Sequence, residues 1–219
     1  MFLKNAFIAL FSFSILHADT LKECKTEADK ISGCIEKKYD SSVNIWIETP
    51  YKNGKVDGIA KEYYEKGKLA SETPYKNGKR EGIEKLYYES GDLGAEIPYK
   101  NDKFEGITKQ YYENGNLNVE RPFKNGKKEG IVKWYYKNGN LMVEMSYLND
   151  LFHGDMRFYT EDGKLLALLK AKNDKFISGK CFNNKVLTDK ELKEFRRIGN
   201  IDEKIIYLKE ICLKESDSK

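Results

Sequence analysis

Four cysteines, one isolated histidine and many carboxylates are the residues in this chain that could do chemistry. Cys24, Cys34, Cys181 and Cys212 could serve as a thiolate nucleophile, a zinc site or disulfides. A nucleophile needs a base beside it, and a zinc site needs closely spaced ligands. The sequence holds no CxxC, and His153, next to Gly154 at a turn, is the one histidine beyond the first twenty residues. An even count favours two disulfides. Of the three possible pairings, Cys24–Cys34 with Cys181–Cys212 is preferred, because each bridge then staples one end of the chain. A catalytic carboxylate should be an exception among its neighbours, with burial shifting its pKa. The acids here recur instead in columns opposite lysines. No enzyme activity, metal or cofactor is expected.

Those columns belong to a repeat. "YKNGKREGIEKLYYESGDLGAEIP" (75–98), "YKNDKFEGITKQYYENGNLNVERP" (99–122) and "FKNGKKEGIVKWYYKNGNLMVEMS" (123–146) superpose at a shift of 24 residues. Further columns are Gly58, Gly82, Gly106, Gly130, Gly154 and Tyr63, Tyr87, Tyr111, Tyr135, Tyr159. Self-similarity at a fixed period marks a repeat architecture. A weaker copy precedes the five clear units, and a decayed one follows at residues 171–182.

Each unit carries two turn signals around strand-like segments rich in Tyr, Ile and Val. "ENGN" (113–116) and "KNGN" (137–140) read as two-residue Asn-Gly turns, with both central residues at positive φ. "KNGK" at Lys52, Lys76 and Lys124, and "KNDK" at Lys100, supply the other turn. A two-residue turn at Asn114-Gly115 pairs Tyr112 with Leu117 and Lys109 with Glu120. The same rule faces Lys61 with Glu72, Lys85 with Glu96 and Lys133 with Glu144, each pair contributing about 0.2–1 kcal/mol.

That register places the Lys–Glu ladder, the Tyr63 column and Pro74, Pro98 and Pro122 on one face. The other face takes Tyr64, Tyr88, Tyr112 and Tyr136 with the Leu69 and Tyr75 columns. In the fourth unit this second face is almost wholly apolar, with Val132, Trp134, Val143 and Met145 on it, so it needs a cover. The tail supplies one: Thr188 and Glu191 form a capping box, and Leu192, Phe195 and Ile198 then share a helical face. Ile201, Ile205, Leu208 and Ile211 continue the pattern. A shorter helix at about residues 20–31 is expected to cap the other end. The fold class is mainly β: an elongated single-layer antiparallel meander of 24-residue hairpin repeats with helical caps.

With its aromatic, Asn-Gly, Gly, paired aromatics, Gly and Leu (Tyr75, Asn77-Gly78, Gly82, Tyr87-Tyr88, Gly91, Leu93), the unit resembles the MORN-type repeat (membrane occupation and recognition nexus). It is most similar to the bacterial variant found in proteins labelled YwqK-family antitoxins. The resemblance covers residues 51–170. It implies a β-hairpin repeat array, and a role of the kind such repeats have in scaffolds, lipid-associated proteins and enzyme appendages.

The ends and the composition bound the rest. Residues 1–18 read as a secretory signal peptide cleaved near Ala18: Lys4 precedes an uncharged run too short to span a bilayer. The mature protein is then periplasmic or extracellular. Residues 19–44 form an N-terminal cap with a degenerate repeat, 45–170 the array, and 171–219 a degenerate hairpin with a helical cap. Charged residues make up 34 % of the chain, yet the net charge is only +4, which argues against nucleic acid as a ligand. Binding therefore remains: an exported interaction or scaffold module, expected to be monomeric, for a protein partner of unknown identity. Tyr64, Tyr88 and Tyr112 are the candidate contact row, because exposed aromatics favour interfaces. Lys61, Lys85, Lys109 and Lys133 are the second candidate, for a phospholipid or another anionic envelope component. Toxin neutralisation, in the manner of an antitoxin or immunity protein, is a third possibility.

Overall fold

The computed structural model describes residues 21–213, so the expected signal peptide lies outside the described residues. From Cys34–Asp40 to Lys175–Cys181, consecutive strands pair antiparallel into a single 17-stranded sheet. The sheet crosses both expected boundaries of the array, at 44/45 and 170/171, without a break.

The two turns of each unit differ in kind, and neither is interchangeable with the other. The Lys-Asn-Gly-Lys turn is the two-residue hairpin: Lys52 pairs with Lys55, and Asn53 and Gly54 both take positive φ, at 52° and 71°. Asp102, Asp150 and Asp174 occupy the glycine position elsewhere at φ 62–70°, a conformation that Asn and Asp tolerate better than most residues. At the Glu-Asn-Gly-Asn turn only Gly115 has positive φ. Gly115 N–H donates to Tyr112 O, and Tyr112 N–H to Asn116 O, which makes a three-residue loop.

This corrects the expected two-residue turn. Tyr111, rather than Tyr112, pairs with Leu117. The Lys109–Glu120 pairing holds because a β-bulge between Gln110 and Tyr111 takes up the extra loop residue. The bulge also changes the faces. Both residues after each leucine turn to the inner face: Met142 and Val143 are buried together, as are Leu166 and Ala167. The leucine itself is thrown to the opposite face beside the Tyr63 column, where Leu165 is 42 % exposed. The Leu69 column therefore does not lie on the Tyr64 face.

Covering of the apolar end follows the helical pattern. Helix α2 (Asp189–Arg197) opens on Thr188, whose side chain and that of Glu191 complete the capping box. Helix α3 is Ile201–Leu213. Phe195 sits edge-on to Phe158 and Phe176, and with Leu192, Ile205 and Leu208 it closes over Met145, Met156 and Leu169. Lys204 is buried; its Nζ donates to Phe195 O at 2.7 Å and to Ile198 O, closing the C-terminal end of α2.

The N-terminal helix α1 is Glu27–Ser32, shorter than the expected 20–31. Residues ahead of it are extended because they pair with the sheet edge: Cys24 N–H donates to Ile35 O, and Ile35 N–H to Lys22 O. Carbonyls of Lys30 and Ile31 accept from Gly54 and Asn53 N–H, so α1 takes the place of a preceding turn. Disulfides Cys24–Cys34 and Cys181–Cys212 pin the two caps.

Candidate interaction surface

The paired tyrosines of each unit tie it to both neighbours. The first tyrosine reaches back: Tyr63 donates to Glu48 at 3.0 Å, Tyr111 to Glu96 at 2.9 Å and Tyr135 to Glu120 at 3.0 Å. Burial, reinforced by the facing carboxylate, pushes these three phenols up to about 12. The second tyrosine reaches forward. Tyr64 donates to Tyr87 O, Tyr88 to Tyr111 O and Tyr112 to Tyr135 O, at 2.5, 2.5 and 2.7 Å. The three candidate contact tyrosines are thus half-buried inter-unit ties, with only part of each ring left to a partner.

The lysine candidates sit in an alternating row. Register places Lys37, Glu48, Lys61, Glu72, Lys85 and Glu96 side by side across successive strands, and Lys109, Glu120, Lys133, Glu144 and Arg157 continue it. Of the four expected pairs the ion contact forms at Lys61–Glu72, 3.6 Å; Lys37–Glu48, at 2.9 Å, adds another. Interleaving Lys61, Lys85, Lys109 and Lys133 each between two glutamates cancels the field of the row.

Asparagines of the three-residue loops have a role that their turn propensity hides. Asn114 and Asn116 Nδ2 both donate to Lys137 O, and Asn138 and Asn140 Nδ2 to Glu161 O, clamping each loop to the next. Across the two-residue turns, Asp57, Glu81 and Glu105 accept the N–H of Asn77, Asn101 and Asn125. His153 Nδ1 lies 3.1 Å from Asn173 Oδ1. Among the described residues no cluster of His, Cys, Asp and Glu could hold a metal ion.

What stays open is the inner face of the early units. Positions filled by Trp134 and Phe158 beneath the helices are Glu62, Leu86 and Gln110 here; those filled by Val132 and Met156 are Ala60, Glu84 and Thr108. The result is an open groove of about 410 Å³ over Gly94 and Ala95, walled by Tyr64 and Tyr88 and reaching Leu86 and Asn118. Leu86 is 37 % exposed within it. Arg121 stands where the open half meets the covered half, 4.9 Å over the Trp134 ring and donating to Gln110. Burial lowers its pKa.

Two surface columns escaped the sequence reading. The residue after each two-residue turn (Val56, Arg80, Phe104, Lys128, Phe152, Phe176) packs beside the Tyr75 column: Arg80 lies 4.0 Å over Tyr99, and Phe104 stacks between Tyr99 and Phe123. Its mixed chemistry conceals the period. On the outer face Ile59, Ile83, Ile107 and Ile131 form an exposed row. That row repeats every 24 residues, and the period alone could have revealed it.

The sequence model of the MORN repeat variant matches residues 56–77, 80–101, 104–125, 128–149 and 152–173, five successive units and about half of the chain. The chain belongs to the MORN repeat variant family. Each matched MORN unit begins just after one two-residue turn and ends within the next, so it contains one long hairpin with its bulge. MORN repeats are generally associated with protein or membrane-lipid binding and are typically non-catalytic. No curated protein matches the chain. Among solved structures, the crystal structure of the GtfA/B complex bound to UDP and GlcNAc is similar at 12 % identity, over 52 % of this chain and 22 % of that one, with a TM-score of 0.23. The chain spans about a fifth of that chain's length.

Proposed function

We propose that the protein is an exported, non-enzymatic interaction module that holds a protein partner in the groove over its early hairpins. One observation carries this: the face that α2 and α3 cover over the last hairpins is bare over the first ones. The bare part is floored by small side chains and walled by tyrosines, which offer large, rigid contact area with few rotatable bonds. Export is supported by the leader-like first residues and by two disulfides, which persist in oxidising compartments. Recognition is then by shape along the sheet, without turnover. The tyrosine hydroxyls stay committed to the next unit, and the ring faces, Leu86 and Arg121 make the contact. A toxin-neutralising role would be one instance of the same recognition, with the toxin as the partner. The test is a stoichiometric complex isolated from the native envelope with the wild-type chain and lost with Leu86→Glu.

A further inference from the structure

Four lysine pairs outside the alternating row line one long edge of the ribbon. Each two-residue turn from Asn53 to Asn125 is flanked by a lysine on either side, and these turns stack because each unit's turn N–H donates to the unit before. Between the second and third turns the edge is concave, a notch of about 350 Å³ lined by Lys55, Lys76, Asn77, Lys79, Glu81 and Asn101. Glu81 is the one acid in that lining, and its Oε2 is turned inward onto Asn101 N–H at 2.8 Å. Asp57 is likewise drawn onto Asn77 N–H. The Lys55 stem lies against the next turn, its Cβ 3.8 Å and its Cδ 3.9 Å from where a Cβ on Gly78 would sit.

Repetition extends the feature. Lys79, Lys100 and Lys103 recur one unit on, with Asp102 drawn to Arg80 at 3.7 Å and Glu105 onto Asn125 N–H; Lys103, Lys124 and Lys127 recur after that, with Glu129 3.9 Å from Lys124. With two strands of about 4.8 Å per unit, the ammonium groups recur about every 9.6 Å along a line. The line stops at the fifth unit, where Leu148 and Leu151 replace the lysine pair. The opposite edge, with Glu89, Asp92, Glu113 and Glu161 on its loops, carries no such run.

We infer that the edge from Lys52 to Lys127 is a binding site for a linear polyphosphate chain. Such a chain lies along successive notches, its anionic groups taken by the lysines and by the carboxamides of Asn77 and Asn101. A line of charge one turn wide matches a polymer strand better than a plane of headgroups, and it is independent of the groove on the inner face.

The experiment measures affinity for long-chain polyphosphate, for orthophosphate and for anionic phospholipid vesicles over a range of salt. Polyphosphate should bind with a log-affinity that falls linearly with log salt, and orthophosphate should bind far more weakly. The triple variant Lys55→Gln, Lys79→Gln, Lys103→Gln should lose at least about tenfold in affinity and flatten the salt slope by about 2. Removing the same number of charges from the alternating row, with Lys61→Gln, Lys85→Gln, Lys109→Gln, should leave affinity within about twofold. Equal losses from both triples would overturn the site, leaving only a net-charge effect. Vesicle binding without polyphosphate binding would also overturn it and assign the edge to a membrane surface.

Discussion

Tyr88 donates its hydroxyl proton to the backbone carbonyl of Tyr111, 2.5 Å away and 23 residues on in sequence. The same tie links Tyr64 to Tyr87, Tyr112 to Tyr135 and Tyr136 to Tyr159. A single-layer sheet has no second layer to lock its strands over the early units, and these ties supply part of that rigidity. Tyr88→Phe keeps the ring and removes the bond, so it should cost about 0.5–1.5 kcal/mol. Denaturant melts of the variant and of the Tyr64, Tyr88, Tyr112 triple to Phe check this. A triple variant as stable as wild type would show that the bonds contribute nothing.

Alkaline stability follows from the other tyrosine column. Tyr63, Tyr111 and Tyr135 are held up to about 12, from an ordinary value of 10.0, by burial and by Glu48, Glu96 and Glu120. With folded pKa values above the unfolded ones, their stabilising contribution is complete below pH 10. It is lost as the pH rises through 12. Absorbance at 295 nm should show a late tyrosine population ionising together with loss of β-sheet circular dichroism. Ionisation of all tyrosines near 10 with the sheet intact would contradict the placement.

Gly82 combines positive φ with a close approach. Its φ is 124°, and a Cβ there would lie 2.9 Å from Pro74 Cγ. Gly82→Ala should therefore destabilise by about 2–4 kcal/mol. Gly115→Ala, with φ 82° and open space around it, should cost about 1 kcal/mol. Thermal melts rank the two. Gly126→Asp should be nearly neutral, since Asp102 and Asp150 already occupy that place.

Much of this architecture was legible because the period is a side-chain property. The opposed Lys109 and Glu120, the capping box at Thr188 and the spacing of Leu192 and Phe195 can all be read from residue types. The loop kind could not. A two-residue loop and a three-residue loop with a bulge at Asn118 give the same Lys109–Glu120 pairing, so the charges could not tell them apart. Only the face of Leu117 and its equivalents distinguishes the two. The acceptors of Tyr64, Tyr88 and Tyr112 were hidden for another reason: they are backbone carbonyls, which any residue supplies. At the N-terminus the pull of Cys24 toward Cys34 and of Lys22 toward Ile35 outweighed the helical tendency of residues 20–26.

Opening the Cys181–Cys212 bridge should free α3 from the sheet. Closing that 31-residue separation contributes about 3–4 kcal/mol through the unfolded chain. The Cys181→Ser, Cys212→Ser variant should melt earlier and bind a hydrophobic dye as Met156, Phe158 and Leu208 become exposed. Loss of Cys24–Cys34, separated by 10 residues, should cost less and expose no comparable core, since α1 buries no residue.

The groove over Gly94 and Ala95 is the central functional claim, and Leu86 probes it most directly. Leu86 points into the groove at a half-exposed position, so Leu86→Glu should leave the melting temperature within a few degrees while placing a charge where the partner packs. The decisive measurement is the affinity of wild-type and Leu86→Glu chains for the partner purified from the native envelope. A loss of at least about tenfold, roughly 1.4 kcal/mol, is the predicted result. Equal affinity of the two chains for the same partner would place the contact elsewhere and contradict the assignment.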